Sequence, residues 1–306
     1  MILLQLPEGL KNKANIFIQD LKQKYNEEIV ISGSAMYGGC DIAIDEAKAI
    51  GARKIIHVGH TEFPLNRSLE GIEVEFIPYY IDIEINWPFV IEEFKLKGYK
   101  TISILTTTQH MHQYKDIEKY FLDNGFKNKV KKGPFCSHVG QVLGCDSYGA
   151  EKVDAVLIIA EGKFHWTAAV YLADIIPVYG LDPFSKEFTQ INDLLKKIKK
   201  IRDASIIKAV NSKNFGILVS TKPGQYGFTI ANKIKQELEN LGKNAYIIVS
   251  NDLNPETLYN FTFIDVYVNT ACPRIVDDVQ KYGKPILNPD GVKEMMKILK
   301  TFYKYE

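Results

Sequence analysis

Three cysteines stand where a thiolate could bind a metal. Cys40 lies in Tyr37-Gly38-Gly39-Cys40-Asp41, Cys145 in Gln141-Val142-Leu143-Gly144-Cys145-Asp146, and Cys272 in Asn269-Thr270-Ala271-Cys272-Pro273-Arg274. They are roughly a hundred residues apart, and no C-x-x-C pair accompanies them. Each turn follows an apolar, strand-like run and precedes a helix-like one. Glycine beside Cys40 and Cys145 lets backbone amides approach a ligand closely. A helix start lowers the cost of a thiolate, and Pro273 suits a first helical position. Soft thiolates from three similar units suit an iron–sulfur cluster with one iron left open. Three buried structural cysteines would show the same spacing. Cys136, close before Cys145, reads as a structural or partly exposed thiol.

Short, β-branched apolar runs alternating with helical patterns must position these turns. Such alternation predicts parallel α/β layers. A first unit, residues 1–95, has strands near 2–6, 29–32, 54–58 and 74–77, and helices over about 11–25 and 41–50. A second, 96–205, opens with a strand at 101–105 and a helix over about 114–124. It continues with a weak strand near 129–131, then a short helix after Cys145. Strands at 155–159 and 176–179 follow, and a long helix over about 185–209 leads out. A third, 206–306, repeats the pattern from a strand at 216–220 to a C-terminal helix. The expected fold class is therefore α/β, with three similar α/β/α domains and mostly parallel sheets around a central cluster site. Each domain supplies one cysteine. The repeat is one of fold and not of letters.

Composition narrows the function classes. Thirty-eight basic and thirty-seven acidic residues give a net charge of +1, which disfavours a broad nucleic-acid face. The basic run Lys196-Lys197-Ile198-Lys199-Lys200 reads as a solvated helix. No apolar run reaches the length of about 18 residues that a spanning helix needs. The apolar start reads as a first strand and not as a signal peptide. Four cysteines in 306 residues are too few for a disulfide framework, so a reducing, cytoplasmic location is expected.

The residues around the cysteines carry a resemblance. Gln5-Leu6-Pro7-Glu8-Gly9-Leu10, Tyr37-Gly38-Gly39-Cys40-Asp41-Ile42-Ala43, His57-Val58-Gly59-His60, the Cys145 stretch, Phe164-His165 and the Cys272 stretch occur in order along all three units. In these stretches the chain resembles the diphthamide-biosynthesis family of archaeal 2-(3-amino-3-carboxypropyl)histidine synthases. Gly39 departs from the family, which more often has Ala there. The resemblance implies three α/β domains around a 4Fe–4S cluster held by Cys40, Cys145 and Cys272. It implies a homodimer that cleaves S-adenosylmethionine by a radical mechanism and releases methylthioadenosine. The 3-amino-3-carboxypropyl group goes to carbon 2 of a histidine imidazole in translation elongation factor 2, the first step of diphthamide synthesis. An unidentified electron donor is also implied. Two alternatives remain open. One is a quinolinate synthase-like 4Fe–4S dehydratase, and the other is a non-catalytic cluster-bearing scaffold subunit.

Other residues are candidates for holding S-adenosylmethionine. The loop with Ser220, Thr221, Lys222 and Gln225 lies between a strand end and a helix start, where ligands of α/β sheets bind. Lys222 suits a carboxylate, and Gln225 suits polar cofactor atoms. His60 and His165 each follow a strand and a glycine-containing turn. Arg274, beside Cys272, suits cluster or carboxylate charge, and Glu8 suits Arg274 or the cofactor amine. His57 lies within a strand and reads as structural. The His110-Met111-His112 pair lacks acidic or cysteine partners in sequence.

Overall fold

The structure, a computed structural model, describes residues 1–302. The last four residues of the expected third unit lie outside the described residues. By compactness the chain forms two units. One comprises Met1–Pro64 and Ser68–Leu195, and the other comprises Leu65–Arg67 and the chain from Lys196 onward.

The first unit holds two sheets. Strands β1 (Ile2–Gln5), β2 (Ile29–Ile31), β3 (Lys54–Val58) and β4 (Glu73–Ile77) pair in parallel in the order β2-β1-β3-β4. Helices α1 (Ala14–Lys24), α2 (Ile44–Ala49) and α3 (Pro88–Leu96) lie along this stretch. Strands β5 (Thr101–Thr106), β6 (Lys127–Asn128), β7 (Ala155–Ile159), β8 (Val178–Leu181) and β9 (Phe188–Gln190) form the second sheet, ordered β6-β5-β7-β8-β9. Helices α4 (Tyr114–Asp123) and α5 (Lys163–Trp166) accompany it. The central strands β1 and β7 are buried along their whole length, as expected where both faces of a parallel sheet are covered. In α4 the apolar residues Tyr114, Ile117 and Phe121 fall on one face and are buried. Phe121 meets Trp87 and Phe126, and Phe94 meets Phe126 and Tyr179, in an aromatic core. Full burial of each such ring stabilises by about 1.5–3 kcal/mol.

The second unit follows α6 (Asn192–Val210), whose residues from Lys196 onward belong to it. Its sheet is β11-β10-β12-β13, all parallel, from β10 (Asn214–Ser220), β11 (Asn244–Ser250), β12 (Val266–Asn269) and β13 (Ile286–Leu287). Helices α7 (Phe228–Asn240), α8 (Pro255–Leu258), α9 (Val279–Tyr282) and α10 (Pro289–Phe302) surround it. Ala231, Ile234 and Leu238 of α7 and Val292, Met295 and Leu299 of α10 share a core with Phe215, Ile217 and Val219 of β10.

Two local expectations fail for identifiable reasons. The helix expected over about 185–209 starts only at Asn192, because Phe188 stacks on Tyr179 at 5.3 Å and draws Phe188–Gln190 into the sheet as an antiparallel edge. No helix follows Cys145. The Asp146 carboxylate accepts hydrogen bonds from the amides of Tyr148 (3.0 Å) and Phe135 (2.7 Å), which commits the chain to turns.

All three sheets share one arrangement. The first strand is internal, the second lies on one side of it and the third on the other. The carboxyl ends of the first and third strands therefore flank a switch in strand order, where open α/β sheets bind ligands.

Candidate functional site

At the switch of the first sheet, Gln5 ends β1 and His57 lies near the end of β3. Gly59 then turns the chain at φ +91°, a conformation that disfavours side chains, and its amide donates to Ile77 O. This turn brings His60 back beside His57, with Nε2 of His57 3.1 Å from Nδ1 of His60. Nδ1 of His57 faces Gln5 Oε1, also at 3.1 Å. Burial lowers His57 to about 3, with His60 adding to the effect. Burial and then His165 lower His60 to about 4. Both imidazoles are neutral at pH 7. His57, read from sequence as structural, is thus part of a chain that includes His60.

The Cys40 and Cys145 loops meet around one residue of the same unit, Thr61. Gly39 packs so closely that a Cβ there would lie 2.5 Å from the Thr61 carbonyl oxygen. Gln141, at the start of the Cys145 loop, donates from Nε2 to the hydroxyls of Thr61 and Thr108, each at 2.9 Å. Gln141 also pairs with Thr106 at the carboxyl end of β5. The Cys40 turn closes with a bond from the Asp41 amide to Gly38 O. The Cys145 turn closes with reciprocal bonds between Leu143 and Asp146. Both sulfur-bearing residues are half-buried. Cys136 differs. It is buried, its thiol donates to Gln141 O at 3.2 Å, and it lies 3.5 Å from Asp146 Oδ2. Burial pushes that thiol far up, and the Asp146 charge adds to it. Cys136 is a neutral thiol that braces the Cys145 loop.

In the second unit Cys272 caps the turn that leaves β12, just before a 3-10 helix over Pro273–Asp278. Asn269 Nδ2 donates to its carbonyl at 2.9 Å. Burial raises the Cys272 thiol, while the Arg274 amide and guanidinium work in the opposite direction. Across the switch, the loop after β10 is braced by its own side chains. The Ser220 hydroxyl donates to Asn251 O at 3.1 Å and accepts from the Lys222 amide at 3.2 Å. Thr221 Oγ1 accepts from Asn251 Nδ2 at 3.2 Å. Lys222 is buried, with its ammonium 2.7 Å from Asp252 Oδ1, and the Gln225 amide donates to Lys222 O. Gly227, just beyond, abuts the carbonyl of Thr270, which brings this loop against the Cys272 turn. The segment Leu65–Arg67 also closes on the loop. The Asn66 amide donates to Pro223 O at 2.9 Å, and the Arg67 guanidinium donates to Thr221 O at 2.8 Å.

The remaining candidates are placed as follows. Glu8 pairs with Lys11 at 2.6 Å and is largely exposed. Arg274 pairs with Asp277, which also holds Arg202 at 2.6 Å. His165 lies in α5 near His60 and Glu161, whose ionisation it influences. His110 is buried between Ile81 O and Glu161, and His112 faces Asp82, so the two do not point at a common centre. Sequence reasoning missed Gln5, Thr61, Gln141 and Asp252. The first three all fall within or beside the quoted stretches, and Asp252 follows β11 without a motif. Among the described residues, no helix is long and apolar enough to cross a membrane.

The comparisons with known proteins agree along the whole chain. The family described as "Putative diphthamide synthesis protein" matches residues 6–305. The chain is 36% identical over 311 residues to 2-(3-amino-3-carboxypropyl)histidine synthase of Pyrococcus horikoshii, covering 100% of this chain and 88% of that one. The crystal structure of Dph2 from Pyrococcus horikoshii matches with a TM-score of 0.85 and 33% identity, over 97% of this chain and 86% of that one. Dph2 from the same organism with a 4Fe-4S cluster matches at 0.84 and 32% identity, with the same coverage. These matches decide against a quinolinate synthase-like dehydratase. From the six motif stretches to the full-length match, the chain belongs to the diphthamide synthesis protein family.

Proposed function

We propose that this protein transfers the 3-amino-3-carboxypropyl group of S-adenosylmethionine to carbon 2 of a histidine imidazole in translation elongation factor 2. This is the first step of diphthamide biosynthesis. One observation carries the reading. In a chain 36% identical throughout to a named synthase, Cys40, Cys145 and Cys272 each occupy a turn beyond the carboxyl edge of a sheet.

The residues present fit a 4Fe–4S cluster. Three half-buried cysteines offer soft thiolate ligands, one from each of 1–95, 96–205 and 206–306, while Cys136 is turned onto Gln141 and Asp146. When bound there, such a cluster would supply the electron that cleaves the sulfonium. The chain's own groups do the rest by position. Lys222 and Gln225 take the polar groups of S-adenosylmethionine, on a loop that Ser220 and Thr221 shape and Arg67 closes. Arg274 adds positive charge beside Cys272. His60 and His165, neighbours within the first unit, and Glu8, in the opening turn after β1, are the side chains assigned to the reacting end. The protein acts as a homodimer in the reducing cytoplasm and receives its electron from a partner donor.

The test is anaerobic. Cluster-loaded protein is reduced with dithionite and incubated with S-adenosylmethionine and elongation factor 2. Methylthioadenosine and a mass gain on a histidine of the factor are expected in equal amounts. Loaded protein that gives neither product, or that turns over quinolinate precursors instead, would overturn the proposal.

A further inference from the structure

The hydrogen bonds at the first sheet's switch assign every proton in the Gln5–His57–His60 chain. Gln5 Nε2 donates to the Asp41 carbonyl at 2.8 Å, and Gln5 Oε1 accepts from the Ala43 amide at 3.3 Å. Neither contact survives a flip of the Gln5 amide, so Oε1 faces His57. A carbonyl oxygen cannot donate, so Nδ1 of His57 carries the hydrogen. In a neutral imidazole the other nitrogen is then bare, and Nε2 of His57 accepts from Nδ1–H of His60. His60 is neutral too, which leaves its Nε2 as a lone pair. Among the described contacts none is made by that nitrogen. His60 is adjacent in sequence to Thr61, the residue on which the Cys40 and Cys145 loops converge. A fixed, unprotonated acceptor thus stands beside the cysteine turns.

The proposed reaction needs such an acceptor. The bond from sulfur to the aminocarboxypropyl carbon breaks, and a bond from that carbon to imidazole C2 forms. The hydrogen on C2 leaves as a proton, and the positive charge lost from the sulfonium reappears on it. No external oxidant is required. We propose that Nε2 of His60 takes this proton from C2 of the target imidazole, and that His57 and Gln5 are positioning residues that hold His60 in the tautomer able to accept it. The inference rests on the function proposed above. His57 then shares the charge through its Nε2, with Gln5 Oε1 turned toward its Nδ1–H.

Two measurements test it. In the full-length protein labelled with 15N-histidine, NMR should show His57 and His60 both neutral and protonated on Nδ1 at pH 7. A His60 protonated on Nε2 overturns the assignment, with no need for cofactor or turnover. In the loaded enzyme, elongation factor 2 carrying deuterium at C2 of the target histidine should react at nearly the undeuterated rate. His60→Gln, which keeps a hydrogen-bond acceptor but not a base, should slow group transfer by about 100-fold. A deuterium isotope effect should then appear, and methylthioadenosine should be released in excess of transfer. Equal loss of both products with no isotope effect overturns the inference and leaves the proposed function standing. A wild-type enzyme that releases no methylthioadenosine sinks both.

Discussion

The first and third sheets present the same strand order at their carboxyl edges but fill the switch with opposite electrostatics. In the first, Gln5, His57 and His60 form a line of neutral groups whose protons are fixed by hydrogen bonds. In the third, Lys222 pairs with Asp252, and Arg274 and Arg202 share Asp277. Topology alone therefore says only where a ligand binds. The side chains say what is done there. Neutral imidazoles suit proton movement without a change in resting charge, whereas paired lysine and arginine suit anchoring of a charged cofactor.

The cysteines are where both edges should fail alike. Alanine in place of Cys40, Cys145 or Cys272 should each lower methylthioadenosine formation by at least about a thousand-fold, equivalent to about 4 kcal/mol. Cys136→Ala should keep both iron content and turnover. An active Cys272→Ala enzyme would break the symmetry between the edges. The next effect separates them. His57 and His60 titrate in the fold at about 3 and about 4, below the ordinary 6.5. The unfolded chain thus binds more protons than the folded one between about pH 6.5 and 4. The unfolding free energy should fall as pH drops through that window, by up to about 1.4 kcal/mol per pH unit for each histidine, and stay flat above it. Glu75, held at about 2 by bonds to Lys24, Tyr25 and Lys54, begins to matter only below its ordinary 4.5. Urea melts at pH 7, 6 and 5 should show the slope, and His57→Gln should reduce it.

Smaller effects probe the packing beneath each edge. Gly39→Ala would push a methyl group to 2.5 Å from the Thr61 carbonyl and 3.4 Å from Phe63 Cβ. Backbone cannot swing aside, so a cost of about 1–3 kcal/mol is expected in denaturant melts. A neutral outcome would show that the Cys40 turn can back away from Thr61. Asp252→Ala leaves the buried Lys222 ammonium without its carboxylate. Because Asp252 is itself about half exposed, the loss should be only about 1–2 kcal/mol. The KM for S-adenosylmethionine should rise more than kcat falls.

The α/β alternation was legible because β-branched runs, glycine stops and helical faces are local signals. Three sheets of mostly parallel strands follow from them. The cysteine turns were legible for the same reason, since glycine and proline mark them in the letters. The Gln5–His57 bond joins residues 52 positions apart through a side-chain amide, and no periodicity announces it. His57 reads as a strand residue because it is one. Its role comes from Gly59 folding His60 back onto it. Phe188 escaped for a similar reason, as its stacking on Tyr179 outweighs the helical pattern around it.

Leu65–Arg67 has a consequence for how the chain is built. The loop after β10 is capped in part by residues made long before it. A fragment beginning at Lys196 would carry the entire third sheet yet lack the amides of Asn66 and Arg67 that satisfy Pro223 O, and the guanidinium on Thr221 O. The compact units are therefore not contiguous stretches of sequence. During synthesis the strip at Leu65–Arg67 is made about 150 residues before the Thr221 and Pro223 carbonyls it binds. Dissection at the 195/196 boundary should yield a sheet with a loosened loop after β10, and adding the strip back as a peptide is the natural way to look for its restoration.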